Sequence, residues 1–279
     1  MIGKSIKDAV KERFGNTAMQ SGSCSCSGKK SGTQSPEFIR TASKAAGYSE
    51  SELESVPDGA NLGLGCGNPV AFASIKEGDT VLDLGSGAGV DCFLAANIVG
   101  EKGKVIGIDM TPEMVERAKE NAWNGSYRNV DFRLGEIEHL PVDSASVNVI
   151  ISNCVINLSI DKERVFKEAY RVLRPGGTLM VSDMVLLEEL PDYVQNSVEA
   201  YVRCVGGAML RDQYLDAIRQ AGFEQIKVVG ETSFPAELII EQPVLKELIA
   251  TLKVPMSEVQ RLGSTVVSLK VSARKALDN

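Results

Sequence analysis

The stretch Val81-Leu-Asp-Leu-Gly-Ser-Gly-Ala-Gly89 joins an apolar run to a glycine-rich loop. Thr80–Leu84 is a short apolar run suited to a buried strand, and it passes directly into glycines at 85, 87 and 89. Glycine lets a backbone turn tightly and approach a bound group closely, and the helix expected over Val90–Val99 offers free N–H groups at the same point. The pattern repeats outward from there. Lys104–Asp109 reads as a second strand, and Thr111 caps a helix with Pro112 at its first position and Glu113 in its first turn. Val130–Leu134 and Val147–Ser152 read as further strands, and Lys162–Leu173 as a helix. The turn Arg174-Pro-Gly-Gly177 leads to a strand at Thr178–Asp183. Strands separated by helices predict an α/β architecture built on a parallel sheet with right-handed crossovers.

A Gly-x-Gly-x-Gly element alone fits either a dinucleotide or S-adenosylmethionine. The dinucleotide fingerprint is Gly-x-Gly-x-x-Gly/Ala, whereas position 90 here is Val and the third glycine stands one residue early. Asp83 is placed to hold an amino group of a methionine moiety, which a nicotinamide dinucleotide lacks. Asp109, at the end of the second strand, is placed to accept hydrogen bonds from ribose hydroxyls. Glu136, or the backbone of Ile137, in Gly135-Glu-Ile-Glu-His-Leu-Pro141 would reach an adenine edge. The expected cofactor is S-adenosylmethionine.

Among 279 residues, 30 are Lys or Arg and 37 are Asp or Glu, for a net charge of −7. That balance argues against a nucleic-acid partner, which favours a basic surface. No apolar run is long enough to cross a bilayer, and the N-terminus lacks a signal-peptide apolar region, so no membrane partner and a cytoplasmic location are expected. In that compartment six cysteines do not suggest a disulfide framework. They leave metal or metalloid binding, redox chemistry and inert burial as readings.

The chain divides into an arm at 1–35, a core at 36–190 and a C-terminal portion at 191–279. In the arm, Lys4–Phe14 has helical spacing with Gly15 as a stop, and a flexible Gly/Ser-rich tract at 21–32 carries Cys24 and Cys26. Glu37–Ala46 is expected to be a short helix. Acidic residues from Glu50 to Asp58 lead into the loop Gly63-Leu-Gly-Cys-Gly-Asn-Pro69. Beyond the core, helices are expected at Asp192–Cys204 and Arg211–Ala221, and strands at Phe223–Val229 and Ser264–Ala273.

Cys66 sits among glycines in a loop, where burial as core filler is not expected. Cys154 follows the fourth strand, on the sheet edge where such folds take substrates, and Cys204 ends a helix before Gly206-Gly207. Three converging thiolates suit a pyramidal, thiophilic centre such as trivalent arsenic or antimony. Zinc usually wants a fourth ligand, and the single histidine, His139, lies in the adenine-side loop. Cys92, inside the helix after the glycine loop, is expected in the core.

These segments, with Glu168-Ala-Tyr-Arg-Val-Leu-Arg-Pro-Gly-Gly177, together resemble the arsenite S-adenosylmethionine methyltransferases, a class I methyltransferase family, over about residues 36–230. The resemblance implies a Rossmann-like, mostly parallel sheet with an antiparallel last strand and helices on both faces, a flexible N-terminal arm and a smaller C-terminal substrate-binding portion. It implies arsenite, or its thiol adducts, held by Cys66, Cys154 and Cys204. It further implies Asp83, Gly85, Ser86, Gly87, Gly89, Asp109, Met110, Glu136, Ile137 and Asn153 around S-adenosylmethionine. Cys24 or Cys26 stands where the family keeps cysteines for thiol–disulfide steps with a thiol reductant of thioredoxin or glutathione type. Methylation of a small organic acceptor such as a quinone, or arsenic binding without turnover, are the alternatives.

Overall fold

Along Thr80–Leu84 (β1), Val81 enters one apolar layer while Leu82 and Leu84 enter the other, because successive side chains on a strand face opposite ways. The computed structural model describes residues 2–20, 35–195, 197–233, 261 and 264–277. Among them, β1 joins β2 (Lys104–Asp109), β3 (Val130–Leu134), β4 (Val147–Asn153), β5 (Leu173–Leu186), β6 (Glu224–Ser233) and β7 (Val266–Arg274) in one sheet. The order is β3-β2-β1-β4-β5-β7-β6, with β1 to β5 parallel and β7 antiparallel to both β5 and β6. The strand order reverses between β1 and β4. At such a switch point the carboxyl ends of the strands open a crevice.

Two helical layers close the sheet. Phe93 and Ala95 of α4 (Val90–Val99) and Val115 and Ala118 of α5 (Pro112–Asn124) pack on Val81, Val105 and Ile151. Phe166 and Ala169 of α6 (Lys162–Val172) and Tyr214 and Ile218 of α9 (Arg211–Gln220) pack on Leu82, Ile150 and Leu179. The parallel β1 to β5 core is the one expected from the alternating pattern, and the antiparallel β7 is the last-strand feature that the family resemblance implies.

Several boundaries differ from expectation. Helix α1 runs Ile2–Gln20 straight through Gly15, where a Cβ would lie 3.1 Å from the Glu113 carboxylate of α5. The glycine marks a close helix approach and not a stop, so this part of the arm is docked on the core. Tertiary contact has overridden a local signal. Helix α2 (Pro36–Ala46) starts at Ser35, whose side chain accepts from Phe38 N–H. The acidic run contains an unanticipated helix, α3 (Glu50–Glu54), closed by a reciprocal capping box between Ser49 and Glu52.

The helix expected at Asp192–Cys204 is broken into α7 (Asp192–Gln195) and α8 (Val198–Tyr201). Ser197 caps a fresh start by accepting from Ala200 N–H, and Val205 and Gly206 N–H fold back onto Ala200 C=O. The Arg174-Pro-Gly-Gly177 turn is absorbed into β5 as an irregularity in its ladder with β4. The tract carrying Cys24 and Cys26 lies outside the described residues. No helix among the described residues is long and apolar enough to cross a membrane.

Candidate active site

A cavity of about 420 Å³ opens at the carboxyl ends of the strands beside the glycine loop. On one side it is walled by Gly85, Ser86 and Gly87, and on the other by Cys66, Cys154 and Cys204. Gly85 and Gly87 adopt φ of +69° and +52°, conformations that favour glycine. A Cβ on Gly85 would strike Val155, whereas one on Gly87 would meet nothing within 4 Å, so that backbone stays open to a ligand. Gly89 does not line the cavity. Its missing side chain leaves room for Phe93 and Phe132 where α4 packs on the sheet.

Three carboxylates gather around this loop. Asp109 accepts the Gly87 N–H and the Thr111 N–H, each at 2.9 Å, so it shapes the loop from the end of β2. Asp83 accepts the Cys92 thiol at 3.2 Å. Asp91 accepts Tyr48 Oη at 2.7 Å and Asn153 Nδ2 at 3.0 Å. Burial pushes all three upward, Asp91 to about 6, and Asp91 raises Asp83 further. Among the described residues no ion pair includes any of the three. Buried carboxylates on a cavity wall without a cation beside them carry their charge most readily when a positively charged ligand sits against them, so this end of the cavity suits a cation. A buried Ser86 hydroxyl without a hydrogen-bond partner and the open Gly87 backbone complete a surface that fits S-adenosylmethionine.

The thiols come from three separate loops. Cys66 is buried, contrary to expectation, because its loop is pressed against β4, β5 and β7. A Cβ on Gly65 would meet Asn153, and one on Gly67 would collide with Ser182, so both flanking glycines are required by packing. The Cys66 thiol donates to Ser182 C=O at 3.5 Å, and Ser268 Oγ donates to Cys66 C=O at 2.8 Å. Cys154 and Cys204 have φ of +60° and +63°, uncommon for residues with a side chain. Cys154 N–H is anchored on Ser182 C=O at 2.8 Å, and the Cys204 thiol donates to Cys154 C=O at 2.9 Å.

Hydrogen bonds with the Cys204 and Cys66 thiols, then burial, hold the Cys154 thiol well above its usual range. The three sulfurs therefore share one environment. They are nonetheless not closed into a ligand cage, since no group of three or more His, Cys, Asp or Glu among the described residues is arranged to hold a metal ion.

Of the other expected residues, Met110, Ile137 and Asn153 line the cavity, but Glu136 does not. Its carboxylate is drawn to Lys7 at 2.9 Å and Lys11 at 3.6 Å on α1, and Glu138 takes the place on the cavity wall. Tyr48 and Asp91 were not anticipated. Asp91, two residues after Gly89, was legible as an acid at the start of the helix. Nothing in the sequence links Tyr48 to a loop 18 residues away. Cys92 lies in the core as expected.

Residues 75–222 match the family model of the methyltransferase domain. An arsenite methyltransferase of Halobacterium salinarum is 49% identical over 228 residues, covering 80% of this chain and 58% of that protein. The arsenite methyltransferase of Homo sapiens is 39% identical over 168 residues, covering 57% of this chain and 44% of that one. The chain thus spans about half the length of the curated relatives it matches. The X-ray structure of an arsenic(III) S-adenosylmethionine methyltransferase from Chlamydomonas reinhardtii superposes with a TM-score of 0.63 at 33% identity, over 85% of this chain and 73% of that one. With its glycine loop, unpaired carboxylates and three cavity thiols, the chain belongs to the methyltransferase domain family and, within it, to the arsenite S-adenosylmethionine methyltransferases.

Proposed function

We propose that the protein transfers methyl groups from S-adenosylmethionine to trivalent arsenic held by Cys66, Cys154 and Cys204. The observation that carries this reading is the meeting of these thiols, from loops far apart in sequence, in the cavity that also holds the glycine loop. Asp83 and Asp91 would face the cationic end of the methyl donor, and the Gly85–Gly87 backbone its nucleoside side, with Asp109 fixing that loop. Bound there, S-adenosylmethionine supplies an electrophilic methyl group.

Arsenite or an arsenic–thiol adduct gains bonds to the cysteine sulfurs, and the cysteine protons leave on the displaced hydroxide or carrier thiolate as water or thiol. The bound arsenic keeps a lone pair, which attacks the methyl carbon. This is one nucleophilic displacement that needs alignment and no proton-abstracting base. Transfer oxidises arsenic formally by two electrons, and a thiol pair returns it to the trivalent state by becoming a disulfide. A reductant of thioredoxin or glutathione type fits that role. Cys24 and Cys26 are candidates for an internal relay, since α1 and α2, the helices that flank their tract, both line the cavity. Such chemistry belongs in the cytoplasm, where thiols are kept reduced.

The test is incubation of purified protein with S-adenosylmethionine, arsenite and a thiol reductant, followed by chromatographic separation of arsenic species. Methylated arsenic that disappears when S-adenosylmethionine is omitted supports the reading. Arsenite bound without a methylated product would sink it in favour of a binding protein, and neither binding nor turnover would favour an organic acceptor.

A further inference from the structure

Among the described residues, three basic side chains line the cavity: Lys7, Arg13 and Arg203. Lys7 already meets two carboxylates, Glu136 at 2.9 Å and Glu138 at 3.1 Å. The two arginines share one. Arg203 Nε donates to Glu199 Oε1 at 2.8 Å, and Arg13 Nη1 stands 3.6 Å from that same oxygen. No other carboxylate among the described residues lies within ion-pair distance of either, so the pair carries one positive charge in excess. Both side chains are largely withdrawn from solvent, at 30% and 16% exposed. Burial first, and Arg203 next, hold the Arg13 guanidinium below its usual range, and an anion beside it would offset both effects.

The fold sets this pair beside the thiols. Val10 and Arg13 share a face of α1 at i,i+3, and Val10 packs with Cys204. Arg203 directly precedes Cys204 and lies four residues after Glu199 of α8. Bare metalloid has no use for such a charge, because arsenous acid is uncharged near neutral pH. The carboxylate of the methyl donor sits on the same carbon as its ammonium, which belongs at the Asp83–Asp91 end. A carrier thiol with a free carboxylate is the anion that accompanies arsenic itself.

We propose that Arg13 and Arg203 form a carboxylate-binding site for the carrier of the metalloid, which favours arsenic adducts of acidic amino-acid or peptide thiols over those of neutral thiols. This rests on the methyl-transfer reading given above. In capture, a cysteine sulfur bonds to arsenic and one arsenic–carrier sulfur bond breaks. The cysteine proton leaves on the carrier thiolate as free thiol, and arsenic stays trivalent. The planar guanidinium fork takes a carboxylate through paired N–H groups. A carrier held there presents its arsenic–sulfur bond to the adjoining Cys204. The arginines touch the carrier and not the arsenic, so they determine specificity.

The test compares initial rates of arsenic methylation from arsenite in excess glutathione and in excess glutathione diethyl ester, whose thiol is the same and whose carboxylates are masked. Calorimetric binding of S-adenosylmethionine is measured alongside. In the wild type, kcat/KM for arsenic should be about tenfold higher with the free acid, the effect of one charge-assisted hydrogen bond. Added sodium chloride should shrink that ratio. Arg13→Gln and Arg203→Gln should each bring it towards one through KM for the free-acid adduct, with the donor dissociation constant within about twofold. Glu199→Gln frees both guanidiniums and should raise the ratio, which serves if an arginine variant fails to fold. Equal use of both adducts by the wild type would overturn the carrier site and leave methyl transfer intact. So would an arginine variant that keeps the full ratio, or one that loses donor affinity in step, which would give the pair to the donor's carboxylate. A wild type that methylates arsenic from neither adduct would overturn both readings.

Discussion

At the scale of single residues, Cys154 and Cys204 show what the site demands, for both take left-handed backbone conformations that a β-carbon disfavours. Serine at either position retains the shape and loses the soft ligand. Cys154→Ser or Cys204→Ser should abolish arsenite methylation while leaving the dissociation constant for S-adenosylmethionine within about twofold, measured by isothermal titration. A parallel loss of donor binding would show that the two roles are not separable. Asp109 holds the glycine loop through the Gly87 and Thr111 N–H groups. Asp109→Ala removes that support and should weaken S-adenosylmethionine by about 1–3 kcal/mol. Arsenite binding should stay unchanged, and an unaltered donor affinity would contradict this role. The cysteine types and the glycine spacing were readable in the sequence. The burial of Cys66 was not, because its loop is pinned by Asn153, Ser182 and Ser268 from distant strands.

Among the elements, α1 carries the clearest lesson. Val10 is 1% exposed and packs with Leu158, Val202 and Cys204, so this helix forms part of the wall behind the thiols. Lys7 reaches Glu136 at 2.9 Å and the buried Glu138 at 3.1 Å. Val10→Ala deletes two buried methyl groups and should lower stability by about 1–2 kcal/mol in urea unfolding. A change below a few tenths of a kcal/mol would mean that α1 is not docked in solution. The β1 to β5 pattern was legible because each strand and helix has its own period and cap. The reach of α1 past Gly15 was not, since a glycine reads locally as a stop and only the Glu113 side chain beyond it explains the residue.

For the molecule as a whole, buried acids tie stability to pH. Asp183 accepts Asn157 Nδ2 at 3.1 Å, Tyr214 Oη at 3.3 Å and Met184 N–H at 3.2 Å, and burial lifts its carboxyl from 3.8 to about 7. Its folded-state value lies above the unfolded one. The contribution is therefore fully present below about pH 4 and is lost as pH rises through about 7. Asp183→Asn cannot ionise. Relative to the wild type it should gain stability between pH 4 and pH 8, by on the order of 4 kcal/mol for a shift of roughly three units. Chemical denaturation across that range measures the difference, and a pH-independent gap would show that Asp183 does not titrate within the fold.

The architecture, the glycine loop and the kind of atom placed at each loop tip can be read along the chain without its fold. Those properties follow from periodicity, caps and side-chain chemistry, which are local. The packing of the whole chain brings residues 66, 154 and 204 to one cavity, joins both Glu136 and Glu138 to Lys7 of α1 while only Glu138 lines that cavity, and buries Asp83 and Asp91 without an ion pair among the described residues. Convergence and burial depend on how crossovers bring distant loops together, and no short-range pattern encodes that distance.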